Sequence, residues 1–169
     1  MYTLEEVNAF SEQRFEVVFK NILENCPHYA LKAAKARPFR DLAAMHAAFM
    51  AGVAADPLEQ QLVLVRAHPD LAGKAAMAGE LTEESSNEQK GAGLDRLSPL
   101  EYADFMRINA AYRAKFAIPY IVCVRENTKE SILAAAPIRL AHDFETELSI
   151  ALGEIAKIAK YRLLDLVKE

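Results

Sequence analysis

The sequence predicts an all-α protein, a single-domain bundle of roughly seven to nine helices with one buried extended segment near residues 117–124. The chain has 169 residues, of which 52% are hydrophobic and 26% charged, proportions that suit one globular domain over residues 1–169. It is rich in alanine and contains only 6 glycines and no tryptophan, a composition that favours helices. Apolar residues also recur at helical spacing along most of the chain.

The first two helices are predicted before residue 36. Thr3 and Glu6 form a capping box, which can satisfy free backbone amides at a helix start. Apolar residues then recur at helical spacing, which predicts a helix from about residue 4 to residue 24. Pro27 suits the first turn of a short second helix that ends near Lys35, because a backbone N–H is not needed there.

The third and fourth helices are predicted between Asp41 and Pro69. Asp41 is a favoured N-cap residue ahead of apolar residues at helical spacing, and Asp56-Pro57 is a similar start signal. Pro69 should end the fourth helix, because the residue before a proline is sterically pushed out of helical geometry. Residues 71–87 are predicted to form a loop that has room for a short helix.

The second half of the chain contains a long helix and the extended segment. Ser98-Pro99-Leu100-Glu101 is a helix start with an N-cap, a proline and a capping glutamate. Residues 117–124 are the only convincing β-rich run, and one run cannot form a sheet, so we expect a buried extended segment. Thr128 should open another helix, which Pro137 should interrupt, and the pattern stays helical to about Val167.

Several features of the sequence indicate which partners and which cellular location to expect. They are its charge, its termini and its cysteines. The net charge of −4 argues against a general nucleic-acid binder, which usually carries a basic face. The longest apolar runs are about eight residues, too short to span a membrane. The N-terminus has no signal-peptide pattern, the C-terminus is not a peroxisomal address, and Cys26 and Cys123 lie far apart. We therefore expect a cytoplasmic protein without nucleic-acid or membrane partners.

His68 is the first candidate for a functional residue. It follows the apolar run Leu62–Val65 and precedes a proline, so it should lie at a helix end in a constrained backbone. Catalytic groups are often presented in such places, and an imidazole that titrates near neutral pH suits proton transfer. The alternative is a structural histidine that hydrogen-bonds the last carbonyls of its own helix.

Arg162 is the second candidate, because it falls on the apolar stripe of the last predicted helix with Ile155 and Leu166. An arginine in that position extends to solvent, forms a structural ion pair or faces a ligand. In the last case its forked donors would match a carboxylate or a planar urea-like group.

The segment Ser85-Ser86-Asn87-Glu88-Gln89 is the third candidate and has two interpretations. Ser85 with Glu88, or Ser86 with Gln89, fits a capping box. Alternatively, the same helix start presents amide donors to an anionic or carbonyl-rich ligand. In that case Glu88 could accept hydrogen bonds from N–H groups of the ligand.

Metal, thiol and nucleotide chemistry find little support in the sequence. His28, His46 and His142 show no metal-ligand spacing with His68 or with one another, so no metal site is predicted. Cys123 lies in an apolar run, which is typical of an inert buried thiol. No phosphate loop or dinucleotide-binding fingerprint occurs.

Four segments of the sequence are more informative about function than the spacing of single residues. They are His68-Pro69-Asp70-Leu71-Ala72-Gly73, Ser85-Ser86-Asn87-Glu88-Gln89, Phe116-Ala117-Ile118-Pro119-Tyr120-Ile121-Val122 and Tyr161-Arg162-Leu163. In order and in spacing they resemble the 2-oxo-4-hydroxy-4-carboxy-5-ureidoimidazoline (OHCU) decarboxylases of the urate pathway. The resemblance covers nearly the whole chain, and the four segments together are far more specific than any one of them.

The resemblance implies an all-helical enzyme that converts OHCU to (S)-allantoin and CO2 without a cofactor. It implies a catalytic set of His68, Glu88 and Arg162, in which His68 is the acid/base and the other two contact the substrate. Pro69 would line the pocket, and Tyr120, where we expect phenylalanine, would add a hydroxyl at the pocket edge. Main-chain groups of two segments would hold the substrate: Ser85, Ser86, Asn87, Glu88 and Gln89, and Pro119, Tyr120, Ile121, Val122 and Cys123.

The resemblance also suggests a homodimer, with a monomer as the alternative, and the C-terminus favours a bacterial, cytoplasmic enzyme.

Two rival functions stay open. One is a helical small-molecule binding module in which His68 and Arg162 are structural. The other is a different lyase or hydrolase that uses the same pocket. Optically active allantoin made from OHCU would exclude the binding module, and ligand-induced melting shifts would separate the enzymes.

Overall fold

The computed structural model describes residues 1–168, apart from the side chains of Lys74 and Ala75. The described residues are mainly helical, which confirms the predicted all-α class. No helix among them is both long and apolar enough to cross a membrane. The elements are β1 (Tyr2–Thr3), α1 (Leu4–Asn8), α2 (Glu12–Phe19), α3 (His28–Ala34), α4 (Leu42–Ala54), α5 (Leu58–Ala67), α6 (Lys74–Ala78), α7 (Glu83–Gly91), α8 (Pro99–Phe116), a 3-10 helix (Val124–Glu126), α9 (Lys129–Leu140), α10 (Phe144–Leu166) and β2 (Val167–Lys168).

The chain divides into two compact units. The first unit comprises residues 1–67 and the chain from Ala156 onward, and the second comprises residues 68–155. The start of α10 therefore belongs to the second unit and its end to the first. A single domain over residues 1–169 stays a prediction.

The first unit begins with two helices where one was predicted. The capping box of Thr3 and Glu6 forms, but α1 ends at Asn8 and α2 starts at Glu12 and ends at Phe19. Ser11 causes the break, because its hydroxyl accepts from the Arg14 N–H and caps a new helix. The predicted helix over residues 4–24 is therefore wrong in extent. The apolar spacing does not reveal the break, because both short helices bury apolar residues and the spacing continues from one helix to the next.

The core of the first unit is aromatic. α3 packs against both α2 and α4, and Phe15, Phe19 and Phe49 are almost completely buried. The ring centre of Phe15 lies 4.6 Å from that of Phe19 and 6.3 Å from that of Phe49. β1 pairs in parallel with β2 and joins the N-terminal residues to the end of α10.

Helix starts that carry cap signals form where they were predicted. The Asp41 carboxylate accepts from the Ala44 N–H at 2.6 Å and caps α4. α5 starts directly after Pro57 and ends at Ala67, one residue before His68. In the second unit, Ser98 and Glu101 form the predicted capping box of α8.

The extended segment of the second unit follows α8. Ala117 adopts a left-handed conformation with φ of 56° and redirects the chain. Residues 118–123 are then buried and non-helical, and the 3-10 helix begins at Val124, so the predicted segment is confirmed with slightly shorter bounds. The predicted interruption at Pro137 is wrong, because α9 continues through it to Leu140. Pro137 lies in the last turn of α9, where only one backbone hydrogen bond is lost.

Candidate active site

His68 lies in a buried loop at the start of the second unit and is 5% exposed. Three consecutive residues of this loop are held by side chains of α7 and α8. Arg113 donates to the Asp70 carboxylate from Nε at 3.2 Å and from Nη2 at 3.1 Å. The amide of Asn109 donates to the Leu71 carbonyl at 2.8 Å, and the Ala72 N–H donates to Gln89 Oε1 at 2.9 Å. The backbone that follows His68 is therefore fixed by protein contacts.

The helix that carries Glu88 starts earlier than its sequence suggests. Thr82 caps α7. Its hydroxyl oxygen accepts from the Ser85 N–H at 3.3 Å, and its carbonyl oxygen accepts from the Ser86 N–H at 2.9 Å. Both predicted capping boxes are therefore wrong, because Ser85 and Ser86 lie inside the helix rather than at its N-cap. The main-chain amides of Ser85 and Ser86 have acceptors in Thr82, and a contact of main-chain groups of residues 85–89 with substrate stays a prediction.

The side chains of α7 differ in exposure. Ser85 and Gln89 are buried, Ser86 and Glu88 are half-buried, and Asn87 is exposed. Ser85 and Gln89 lie four residues apart and Glu88 three residues after Ser85, so these three share one face of the helix. α7 also packs against the 3-10 helix that follows the extended segment. The second unit therefore brings the His68 loop, α7 and the end of residues 119–123 together.

The main chain of the extended segment is tied to surrounding side chains. Arg139 Nη1 donates to the Ile121 carbonyl at 2.6 Å, and Glu154 Oε2 accepts from the Cys123 N–H at 2.7 Å. The Asn127 amide donates to the Cys123 carbonyl at 3.0 Å. A substrate that used these groups of Ile121 and Cys123 would have to share or displace the side chains that hold them.

Two side chains of this segment are part of the core. Tyr120 is fully buried, and its hydroxyl donates to the Ile132 carbonyl of α9 at 2.8 Å. The hydroxyl therefore joins the segment to α9, and its expected place at a pocket edge stays a prediction. Burial raises the pKa of Tyr120 to about 12 and that of the Cys123 thiol to about 11. Both groups are neutral near pH 7, so Cys123 is not an activated nucleophile.

A buried ion pair lies behind the extended segment. Glu147 has no exposed surface and accepts from the Tyr112 hydroxyl, from Arg139 and from His142 Nδ1. Burial alone would lower the pKa of Arg139, but its hydrogen bonds with Glu147, together with the charge interactions with Glu147, Tyr112 and Tyr120, outweigh that effect and raise the pKa. Arg139 therefore stays charged and connects Glu147 to the Ile121 carbonyl.

Arg162 lies on α10 in the first unit, where it forms a buried ion pair. Its Nη2 is 2.8 Å from Glu24 Oε2, and its Nη1 donates to the Asn21 carbonyl at 2.8 Å. The side chains of Arg162 and Glu24 are 3% and 1% exposed. The predicted ion-pair interpretation of Arg162 is therefore confirmed, and a contact with substrate stays a prediction.

Sequence reasoning missed the residues that hold the candidate site. Asn109, Arg113, Arg139 and Glu154 were not singled out, although each contacts a predicted segment. A polar residue on an otherwise apolar helix face was the signal available for Asn109 and Arg139, as it was for Arg162. No group of three or more His, Cys, Asp or Glu side chains among the described residues could hold a metal ion.

A model of the OHCU decarboxylase family matches residues 8–164. This chain belongs to the OHCU decarboxylase family. It is 36% identical over 165 residues to the OHCU decarboxylase of Amia calva, an alignment that covers 98% of this chain and 94% of the relative. The family places the chain among the carboxy-lyases and confirms the resemblance found in its four segments.

Two further similarities connect the OHCU decarboxylase family with urate breakdown. The chain is 35% identical over 169 residues to the uric acid degradation bifunctional protein of Bacillus subtilis, which covers 100% of this chain and 33% of that protein. The crystal structure of an (S)-allantoin synthase matches with a TM-score of 0.80 and 26% identity. That match covers 99% of this chain and 54% of the solved chain, so the chain corresponds to about half of that protein.

Proposed function

We propose that this chain converts OHCU to (S)-allantoin and CO2 in urate breakdown, with His68 as the acid/base. The observation that carries the proposal is the His68 loop. A buried histidine follows a helix end, and side chains of two helices hold the backbone beside it. One of those helices, α7, also carries Glu88. Fixed geometry of this kind is what proton transfer to a bound substrate requires.

The substrate itself can supply the electron sink. OHCU has a carboxylate and a hydroxyl on one carbon, next to a conjugated C=N bond. When CO2 leaves, its bonding electrons pass into that conjugated system, so the ring performs the role that other decarboxylases assign to a cofactor. The protein then has to orient the carboxylate, stabilise the developing charge and protonate one face of the ring.

The three proposed catalytic residues divide these tasks. Neutral His68 takes the proton of the hydroxyl group as CO2 leaves, and His68 or a neighbouring group returns a proton to the adjacent ring carbon. Glu88 accepts from N–H groups of the ring or of the ureido chain. Arg162 donates to carbonyl or ureido oxygens, which its planar fork matches. Pro69 and main-chain groups of Ser85 to Gln89 and of Pro119 to Cys123 are the further proposed substrate contacts.

The decisive experiment follows CO2 release and the optical activity of allantoin. OHCU is made fresh from urate by the two preceding enzyme reactions and given to the wild type, to His68→Asn and to His28→Asn. His28 is exposed, and its replacement is the matched control. We expect optically active allantoin from the wild type and the control, and only slow, racemic product with folded His68→Asn. Near-normal turnover and optical purity in His68→Asn would overturn the proposed role.

Arg162→Lys tests the substrate contact separately. Lysine keeps the positive charge for Glu24 but loses the fork of N–H donors. We expect KM to rise more than kcat falls, because a binding contact is lost while the proton-transfer group stays. An unchanged KM in a folded variant would contradict the proposed contact.

Assembly and location are proposed on the resemblance alone. We propose a homodimer in the cytoplasm of a bacterium. Sedimentation velocity of the purified chain, with a monomer as the contradicting result, tests the assembly. Fractionation of the source cells tests the location.

A further inference from the structure

Gln89 belongs to the segment that the resemblance assigns to substrate binding, yet its side chain is used inside the protein. It is 6% exposed. Its Oε1 accepts from the Ala72 N–H at 2.9 Å, and its Nε2 donates toward the Asp70 carbonyl at 3.4 Å. Both ends of the amide therefore contact the loop that carries His68. These two bonds fix the orientation of the amide, with Oε1 toward Ala72 and Nε2 toward Asp70.

The residue that Gln89 holds has a backbone that needs support. Ala72 adopts a left-handed conformation with φ of 51°, which is unfavourable for a residue with a Cβ atom. The turn beside it is tight, because a Cβ on Gly73 would lie 2.9 Å from the Cβ of Asp70. Backbone of this kind persists where its surroundings over-determine it, and it is often found at functional sites.

We propose that Gln89 is a positioning residue, whose side chain fixes the His68 loop against α7 and does not contact the substrate. This inference rests on the proposed function, because it assumes that His68 is the acid/base. Gln89 is next to Glu88 in sequence and holds the backbone four residues after His68. It therefore sets the separation between the proposed acid/base and the proposed carboxylate contact.

Asn109 and Arg113 limit the size of the effect. They hold Leu71 and Asp70 from α8, so the loop stays attached when Gln89 is replaced. What is lost is the pair of hydrogen bonds that joins the Gln89 side chain to Ala72 and Asp70. We expect His68 to be misplaced rather than released, and a misplacement on the order of 1 Å can reduce the rate by about 100-fold.

The test compares Gln89→Leu with Gln89→Glu and with the control Thr82→Ala. Leucine is similar in size to glutamine but has no polar group, whereas glutamate keeps an acceptor for the Ala72 N–H. Thr82 caps the same helix at its first turn, away from the two hydrogen bonds of the Gln89 amide. We expect kcat to fall roughly 10- to 100-fold in Gln89→Leu with KM changed less than about 3-fold. Gln89→Glu should recover part of that loss, and Thr82→Ala should keep kcat near the wild-type value.

Hydrogen exchange of the Ala72 amide and the optical purity of allantoin give two independent readouts. In Gln89→Leu we expect faster exchange at Ala72 and less optically pure product, and a merely destabilised α7 in Thr82→Ala should change neither. If Gln89→Leu raises KM and keeps kcat, Gln89 binds substrate and the inference is wrong. It is equally wrong if kcat and Ala72 exchange both stay at wild-type values. Should Gln89→Leu fail to fold, the same comparisons apply to Gln89→Glu.

The failure of the inference and the failure of the proposed function are distinguishable. If His68→Asn keeps full activity, the proposed function fails, and the positioning role of Gln89 in catalysis fails with it. This holds even if Gln89→Leu makes the Ala72 amide exchange faster. If His68→Asn is inactive but Gln89→Leu is fully active, the proposed function stands and only the positioning role is lost.

Discussion

Removing the charge of Glu147 should destabilise the second unit strongly. Glu147 has no exposed surface, and its carboxylate is the acceptor for Tyr112, Arg139 and His142. The Arg139 side chain is only 10% exposed, so water cannot replace the lost carboxylate. Glu147→Gln keeps the shape of the side chain and leaves the guanidinium charged and buried.

The magnitude follows from the burial of this pair. Breaking a buried ion pair by removing one partner costs about 3–5 kcal/mol, out of a total of about 5–15 kcal/mol for a typical domain. For a chain of this length, about 1 kcal/mol corresponds to a change in Tm of roughly 2–4 °C. We therefore expect Glu147→Gln to melt roughly 6–20 °C below the wild type.

Thermal and urea unfolding, followed by far-UV circular dichroism, measure the effect. Glu145→Gln is the matched control, because Glu145 is exposed in the same helical turn and should change the free energy of unfolding by less than about 1 kcal/mol. A loss below about 1 kcal/mol in Glu147→Gln would refute the reasoning, since it would mean that solvent reaches Arg139.

A double replacement separates the buried charge from the lost hydrogen bonds. Arg139→Met with Glu147→Leu removes both charges, so the penalty for an unpaired guanidinium disappears. The Ile121 carbonyl and the Tyr112 hydroxyl still lose their partners, at about 1–3 kcal/mol each. We expect a stability between those of Glu147→Gln and the wild type. A double variant less stable than Glu147→Gln would show that the hydrogen bonds, rather than the charges, dominate.

Three smaller effects are also expected. Thr82→Ala removes the N-cap of α7 and should lower the free energy of unfolding in urea by about 1 kcal/mol; an unchanged midpoint contradicts the cap. The hydrogen bond from Lys129 lowers the pKa of Glu101 from 4.5 to about 2. The ionised Glu101 carboxylate therefore contributes to the free energy of unfolding above its unfolded-state pKa, and this contribution is lost as the pH falls through its folded-state pKa. The Tm difference between wild type and Glu101→Gln should therefore be constant near neutral pH and shrink from about pH 4.5 to 2. Cys123 should react with iodoacetamide only after unfolding, as mass spectrometry can show, because burial raises its thiol pKa to about 11.

The parts of the fold that the sequence predicts are those fixed by local chemistry. Asp41, Ser98 and Thr128 start helices where their cap patterns are found, because a cap involves residues only three positions apart. Ser11 and Thr82 are caps of the same kind. They were missed because the apolar spacing around Ser11 continues across the break, and because serines after Thr82 offered an equally good cap pattern.

The candidate site was predicted as a set of segments, and its internal contacts were not. The pairing of Gln89 with Ala72, or of Arg139 with Ile121, joins residues far apart in the chain. Such pairs have no spacing that a single sequence can show, since they depend on how the helices pack. For that reason Gln89 was grouped with its neighbours in sequence as a substrate contact, although its hydrogen bonds are with the protein.

Arg162 shows that a structural ion pair and a substrate contact need not be exclusive interpretations of one arginine. A guanidinium has five N–H donors, and the structure gives Glu24 and the Asn21 carbonyl as acceptors for Nη2 and Nη1. Because Glu24 is almost fully buried with it, the pair as a whole is close to neutral. If Arg162 has its proposed role, it must therefore recognise carbonyl or ureido oxygens by the direction of its N–H groups rather than by net charge. KM should then depend weakly on ionic strength but strongly on Arg162→Lys, and a steep salt dependence of KM would indicate recognition by charge instead.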